Sequence, residues 1–360
     1  FAPDFIWYKC RSHNEHNRFV NSTEADAQSQ IINTTGAMGA DAQGVTGFLS
    51  NGFTLGSTDH SNATGKTYFA HNWLLGGTAP TKTYKVVVVS DSGNKYRFRN
   101  SADDTTFGAS AVTLDLQEGG TYTFDVSDST LNSHPFVIGT AANSSEYSTG
   151  VTYKLDGVTK TYSQYTSGFS AATSRQLIIT VADSAPALYY WCSQHSGMGG
   201  AINTNATFGS SNFDGNIQSL VSANTTAGIS IVRYTGDGSA SATIGHGLGG
   251  KIDQIWQKDL TATDSWHIFS KDMTSGYNMF FNNDSVHLNP SDGVIDNFTT
   301  TTFGFNANGG NVNAVNENNI PCICYCFKSV TGFSSFGKYR GNNNSVNGPM
   351  VYTGFKPSFI

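Results

Sequence analysis

A period of two, the mark of half-buried strands, runs through much of the chain. Thr121-Tyr122-Thr123-Phe124-Asp125-Val126 alternates polar with apolar residues, and the runs on either side of it are equally short. In the middle of the chain this pattern predicts strands over 84–89, 95–98, 112–116, 121–126, 136–138, 176–181 and 188–191. Turns fall between them at Ser92-Gly93-Asn94, Gly119-Gly120 and Gly139. Seven or so short strands at this spacing suggest a β-sandwich. No part of this block carries a convincing 3.6-residue period. The expected class is all-β.

The flanks repeat each other. Asp4-Phe5-Ile6-Trp7-Tyr8-Lys9 lines up with Asp253-Gln254-Ile255-Trp256-Gln257-Lys258 as D-x-I-W-x-K. Downstream, Asn51-Gly52-Phe53-Thr54-Leu55-Gly56 and then Tyr68-Phe69-Ala70-His71-Asn72-Trp73 correspond to Phe303-Gly304-Phe305 and then Cys322-Ile323-Cys324-Tyr325-Cys326-Phe327. At strand level, Gly228-Ile229-Ser230-Ile231-Val232-Arg233-Tyr234-Thr235-Gly236 resembles Gly332-Phe333-Ser334-Ser335-Phe336-Gly337-Lys338-Tyr339-Arg340-Gly341. The ends match too, as Phe1-Ala2-Pro3-Asp4-Phe5-Ile6 and Phe355-Lys356-Pro357-Ser358-Phe359-Ile360. Repetition of this kind points to a modular array. The expected division is a first β module over 1–80, an inserted Greek-key β-sandwich over 81–205, a second copy of the module over 206–350, and the start of a further copy over 351–360. Gly76-Gly77-Thr78-Ala79-Pro80 reads as the linker into the insertion.

Composition narrows the function. The 360 residues carry 20 Lys and Arg against 26 Asp and Glu, a formal charge of −6. Such a chain lacks the basic footprint of a nucleic-acid binder. Its longest aliphatic stretch, Val86 to Val89, is far short of the roughly 18 residues of a membrane span. Charged residues are 13% of the chain, about half the usual ~25%, so Ser, Thr, Asn and Gly must cover the surface. The first residue is Phe1 with no signal peptide, as expected of a processed product or a window of something longer. Cys322, Cys324 and Cys326 alternate on one strand face and read as buried free thiols.

One constellation carries chemistry. Tyr190-Trp191-Cys192-Ser193-Gln194-His195-Ser196-Gly197-Met198-Gly199-Gly200 places a thiolate, an imidazole and a thioether in one loop, and His134-Pro135-Phe136 opens a strand upstream. Two His, one Cys and a weak axial Met form the trigonal ligand set of a blue-copper site. The alternative is a scaffold in which Cys192 and Met198 pack as core. His13 and His16, with His60 and His71, read as surface polar residues. Asp4, Asp253 and Asp296 have no carboxylate partner at a telling spacing, and no G-x-S-x-G, phosphate loop or HExxH occurs. The chain is expected not to be an enzyme.

On these residues, block 81–205 resembles a cupredoxin, its Cys192/His195/Met198 loop having the spacing of short-loop members such as amicyanin. The resemblance implies a type 1 copper site with His134 and His195 as imidazole ligands, Cys192 as thiolate and Met198 as axial ligand. Cupredoxins usually have Asn after the first histidine, where this chain has Pro135. The flanks, through Pro3–Ser12, Asn51–Gly56, Thr226–Gly236 with Gly245-His246-Gly247-Leu248, and Gly348–Pro357, are similar to repeated modules of virion structural proteins in marine tailed bacteriophages. That resemblance implies a virion localisation in a tail fibre or similar appendage. Its implied partners are other virion chains, with homo-oligomers such as trimers expected, and a glycan or protein of the host surface. Membrane insertion and nucleic acid are not expected. Two other readings are a copper-binding redox or metal-scavenging protein, and a carbohydrate-binding bacterial adhesin. Trp7, Trp73 and Trp256 sit in strand-like stretches and read as core rather than as a sugar platform.

Overall fold

The computed structural model describes all residues except 25–27, 76–78, 206–208, 285–293, 307–311 and 358–359. The apolar runs near the start form β1 (Phe5–Cys10), β2 (Arg18–Asn21), β3 (Gln28–Ile31), β4 (Gly39–Ala40), β5 (Val45–Leu49), β6 (Gly52–Leu55) and β7 (Tyr68–Trp73), with a single turn of helix, α1 (Asp59–Asn62), before the last. They make a five-stranded sheet in the order β4-β3-β2-β1-β7 and a separate hairpin, β5-β6.

The central run continues with β8 (Thr81–Ser90), β9 (Asn94–Phe98), β10 (Leu114–Gln117), β11 (Thr121–Asp125), β12 (Phe136–Ala141), β13 (Ser144–Glu146), β14 (Val151–Leu155), β15 (Val158–Lys160), α2 (Tyr162–Gly168), β16 (Arg175–Thr180), β17 (Leu188–Cys192), β18 (Ala201–Asn205) and β19 (Ser210–Asn212). These belong to a compact unit spanning Thr78–Val221. Two sheets, β10-β18-β17-β12-β13 and β15-β14-β16-β11-β8-β9, share one core. Phe124 of β11 lies 4.9 Å from Phe136 of β12, which stacks 5.4 Å from Tyr190 of β17. Each such fully buried ring stabilises by about 2–3 kcal/mol. The period analysis anticipated no helix here, yet α2 forms. Its seven residues are too few to display a period. Its signal was the capping box, in which Thr161 accepts from the Gln164 N–H and the Gln164 side chain accepts from the Thr161 N–H.

The chain then forms β20 (Ser219–Asn224), β21 (Ile229–Thr235), β22 (Thr243–Gly245), β23 (Gln254–Asp259), β24 (His267–Ser270), β25 (Met279–Phe280), β26 (Val294–Asp296), β27 (Thr302–Asn306), α3 (Asn313–Asn316) and β28 (Pro321–Phe327). Residues Ser222–Ile360 share one unit with Phe1–Gly77. The two flanking segments, read from the sequence as separate modules, therefore lie together, and the central unit runs over 78–221 rather than 81–205. The linker read at Gly76–Pro80 falls largely outside the described residues.

The repeat holds for the central strands of each copy. β1 lies between β2 and β7, and β23 lies between β24 and β28. The hairpin β5-β6 and helix α1 correspond to β26-β27 and α3. The motif residues perform the same task twice. Asp4 donates its N–H to the Trp73 carbonyl and accepts the Leu75 N–H at Oδ2, 3.0 Å. Asp253 donates to the Phe327 carbonyl and accepts the Ser329 N–H at Oδ2, 2.6 Å. Lys9 Nζ donates to the carbonyl of the next residue, Cys10, as Lys258 Nζ does to Asp259. Between the copies lies a shared aromatic core, with Phe5 4.6 Å from Tyr325 and Phe19 5.4 Å from Trp266. Trp7, Trp73 and Trp256, read from the sequence as core, are partly buried and pack against its margin. The molecule is all-β, built of sandwich-like layers, as its alternation predicted.

Candidate metal centre

Pairing of β12 with β17 sets Phe136 opposite Cys192. His134, two residues before β12, thereby comes to the end of β17 from which the Cys192 loop departs. Ser193 N–H donates to the Pro135 carbonyl at 3.1 Å and closes the two chains together. The loop turns back through Gly197 (φ +74°). Two further glycines pass where no side chain fits: a Cβ at Gly199 would stand 1.8 Å from the Tyr190 carbonyl oxygen, and one at Gly200 2.4 Å from that of Ala111. Neighbouring strands hold the loop from outside. Asn143 Oδ1 accepts the Gly197 N–H at 2.9 Å, Lys95 Nζ donates to the Gly197 carbonyl, and Tyr96 N–H donates to the Met198 carbonyl at 2.9 Å.

Within this frame three ligand atoms converge. Cys192 Sγ lies 3.9 Å from His134 Nδ1 and 3.7 Å from His195 Nδ1, and the two Nδ1 atoms are 3.0 Å apart. All three lie within 4.8 Å of one another. Among the described residues this is the group of three or more His, Cys, Asp or Glu side chains placed to hold a metal. Cys192 and His134 are buried, while His195 reaches solvent. Met198, the fourth residue expected here, is buried in the same loop at 1% exposure.

The second nitrogen of His134 has its own partner. Nε2 lies 3.3 Å from the Asn94 amide, and the His134 carbonyl accepts the Tyr96 hydroxyl at 2.9 Å. The ring is thus oriented with Nδ1 toward Cys192, the outer support that fixes a ligating imidazole. Pro135 removes the Asn expected after the first histidine, and Asn94 of another strand stands by that histidine instead. Sequence reading missed Asn94, Asn143 and Tyr96 because neither spacing nor residue type marks them; the turn Ser92-Gly93-Asn94 was visible, its destination was not. Burial, and then the charge of neighbouring His195, hold the His134 imidazole below the ordinary histidine range. That shift favours the neutral ring, the form in which an imidazole can bind a metal.

Of the four other histidines singled out in the sequence as surface polar residues, two, His13 and His16, are exposed and two, His60 and His71, are half-buried. His60 Nε2 bonds the buried Asp41 carboxylate at 3.0 Å, and His71 packs 5.6 Å from the Trp7 ring. All five cysteines are free and buried, Cys322, Cys324 and Cys326 among them. In the described residues no helix is long and apolar enough to cross a membrane.

A family model described as a domain of unknown function, DUF7483, matches residues 1–97 and 138–360. The match takes in both flanks and the Cys192 loop, and it leaves out 98–137, where His134 lies. No curated protein and no solved structure matches the chain.

Proposed function

We propose that this chain, which belongs to the DUF7483 family, is a non-enzymatic structural component of a phage virion, a tail fibre or similar appendage, whose central unit binds one copper ion. The observation that carries the copper reading is the convergence of Cys192 Sγ with the Nδ1 atoms of His134 and His195. The donor set fits: a soft thiolate with two imidazoles selects copper or zinc over hard cations, and a nearby thioether favours copper. His134, Cys192 and His195 would hold the ion, with Met198 as the axial residue. Bound there, copper would supply one-electron redox chemistry. The protein's part is a preset frame: two strands fix Cys192 and His134, the Asn94 amide holds the ring, and solvent-exposed His195 gives the site an outer edge.

The test is the visible absorption of the purified chain with one equivalent of Cu(II). An intense thiolate-to-copper band near ~600 nm, lost in Cys192→Ser and His134→Ala, is the expected result. Without a band in a folded chain, the central unit is a scaffold.

The appendage reading is supported by the duplicated modules and by a composition low in charge, 13% of residues. Such an array can project from a particle, assemble with other chains and meet a host-surface glycan or protein. Immunogold labelling of purified phage particles checks it. Label on a tail appendage is the expected outcome, and label confined to lysate protein would refute it.

A further inference from the structure

Strand β9 opens with three residues that each reach the Cys192 centre from outside its loop. Asn94 meets His134 Nε2 at 3.3 Å, and Lys95 donates to the Gly197 carbonyl. The third, Tyr96, touches the most of the donor set. Its backbone N–H donates to the Met198 carbonyl at 2.9 Å, and its hydroxyl donates to the His134 carbonyl at 2.9 Å. The same hydroxyl stands beside Cys192, with which it shares a side-chain hydrogen bond. One residue thus contacts His134, Cys192 and Met198 together.

The packing fixes that hydroxyl in place. Tyr96 is fully buried, its ring 5.2 Å from Phe136 of β12 and 6.3 Å from Tyr190 of β17, the strands that bring His134 and Cys192 together. Its carbonyl accepts the Ala111 N–H at 3.0 Å, so the backbone is held as well. Packing alone would be met by Phe, which fills nearly the same space without a hydroxyl that burial obliges to find a partner. A hydroxyl has one hydrogen to give and two lone pairs to accept with. Beside a Cys192 thiol, the hydrogen goes to the His134 carbonyl and the oxygen is free to accept from S–H. As a thiolate, the form in which cysteine binds a metal, the sulfur has no hydrogen left and becomes an acceptor. The Tyr96 hydrogen then lies between two acceptors, the His134 carbonyl and the Cys192 sulfur. The residue after His134 offers the sulfur nothing in its place, because Pro135 has no N–H.

We infer that Tyr96 is a positioning residue of the proposed copper site: its hydroxyl donates to the Cys192 thiolate and, by drawing charge from the sulfur, sets how strongly that sulfur donates to copper. The inference rests on the copper reading and goes beyond it by naming the side chain that tunes the ligand. Hydrogen bonding around the cysteine sulfur is one of the controls on the reduction potential of such a site. A sulfur that gives up less charge stabilises Cu(II) less, which raises the potential. It also holds its own electrons lower, which moves the thiolate-to-copper band to shorter wavelength.

The experiment compares the full chain with Tyr96→Phe, which keeps the ring and removes the hydroxyl. Tyr190→Phe is the control, since it removes a hydroxyl of the same core that donates to the Val112 carbonyl instead. Each receives one equivalent of Cu(II), and the visible band and the Cu(II)/Cu(I) potential are recorded. Tyr96→Phe should keep the band near ~600 nm but move it to longer wavelength and lower the potential, with Tyr190→Phe at wild-type values. Placing 3-fluorotyrosine, a stronger donor, at position 96 should move both the opposite way, and it decides the matter if Tyr96→Phe does not fold. A wild-type band that neither change at position 96 moves, at unchanged potential, would overturn the inference and leave the copper reading standing. Equal shifts in Tyr96→Phe and Tyr190→Phe would overturn it as well, since they would mark repacking of the core. No band in the folded wild-type chain would overturn the copper reading and this inference with it.

Discussion

Asp259 shows what a single residue owes to its surroundings. It ends β23 beside Lys258 and is 1% exposed. Its Oδ1 accepts from Cys322 Sγ at 3.3 Å, and Lys258 Nζ donates to its carbonyl at 2.7 Å. Burial pushes the Asp259 carboxyl up to about 6, the Cys322 hydrogen bond and the Lys258 charge opposing it only in part. A carboxyl raised above its unfolded value, about 3.9, stabilises the fold fully below that value and loses this contribution as pH rises through the folded one. Stability should therefore fall between about pH 4 and about pH 7, and Asp259→Asn should flatten the profile. In denaturant titrations the difference between wild type and variant should shift by about 1–3 kcal/mol across that range, at ~1.4 kcal/mol per unit. A parallel pair of profiles would show that the carboxyl is not protonated in the fold. The first copy has Cys10 at this position, so the charge belongs to one copy only.

At the scale of elements, the D-x-I-W-x-K stretch is legible as a strand but not as a clamp. Its aspartate joins the start of one strand to the N–H two residues beyond the end of the next, at Leu75 and again at Ser329. Removing such an acceptor leaves an N–H unpaired, at a cost of about 1–3 kcal/mol. Asp4→Ala and Asp253→Ala should each lower stability by that amount in chemical denaturation. They should act on the same unfolding transition, because both aspartates belong to one unit. Separate transitions would contradict that grouping. The strands 84–89, 95–98, 121–126 and 188–191 were read nearly to their ends, since alternation over a buried core is a local property. Helix α2 and the short strands β13, β14 and β15 were not, because three to seven residues give no period, and pairing partners decide what they become.

For the whole molecule, repetition was visible in the residues and its consequence was not. Matching motifs at 4–9 and 253–258 told of two copies. They could not tell that the copies share one aromatic core, because contacts such as Asn21 Nδ2 to the Tyr325 hydroxyl, 2.9 Å, join positions some 300 residues apart. The same division applies to the His134, Cys192 and His195 cluster. Residue type and spacing singled out His134, Cys192, His195 and Met198, since soft donors in one loop are a local signal. That His134 reaches Cys192 through the β12–β17 register, and that Asn94, Asn143 and Tyr96 hold ring and loop, was decided by strand pairing. By itself the sequence determined the all-β class, the repeat and the donor set, because each is written in the period or chemistry of neighbouring residues. Only the tertiary structure decided which carboxyl is buried and where the ligands meet, because those depend on residues that the chain brings together from far apart.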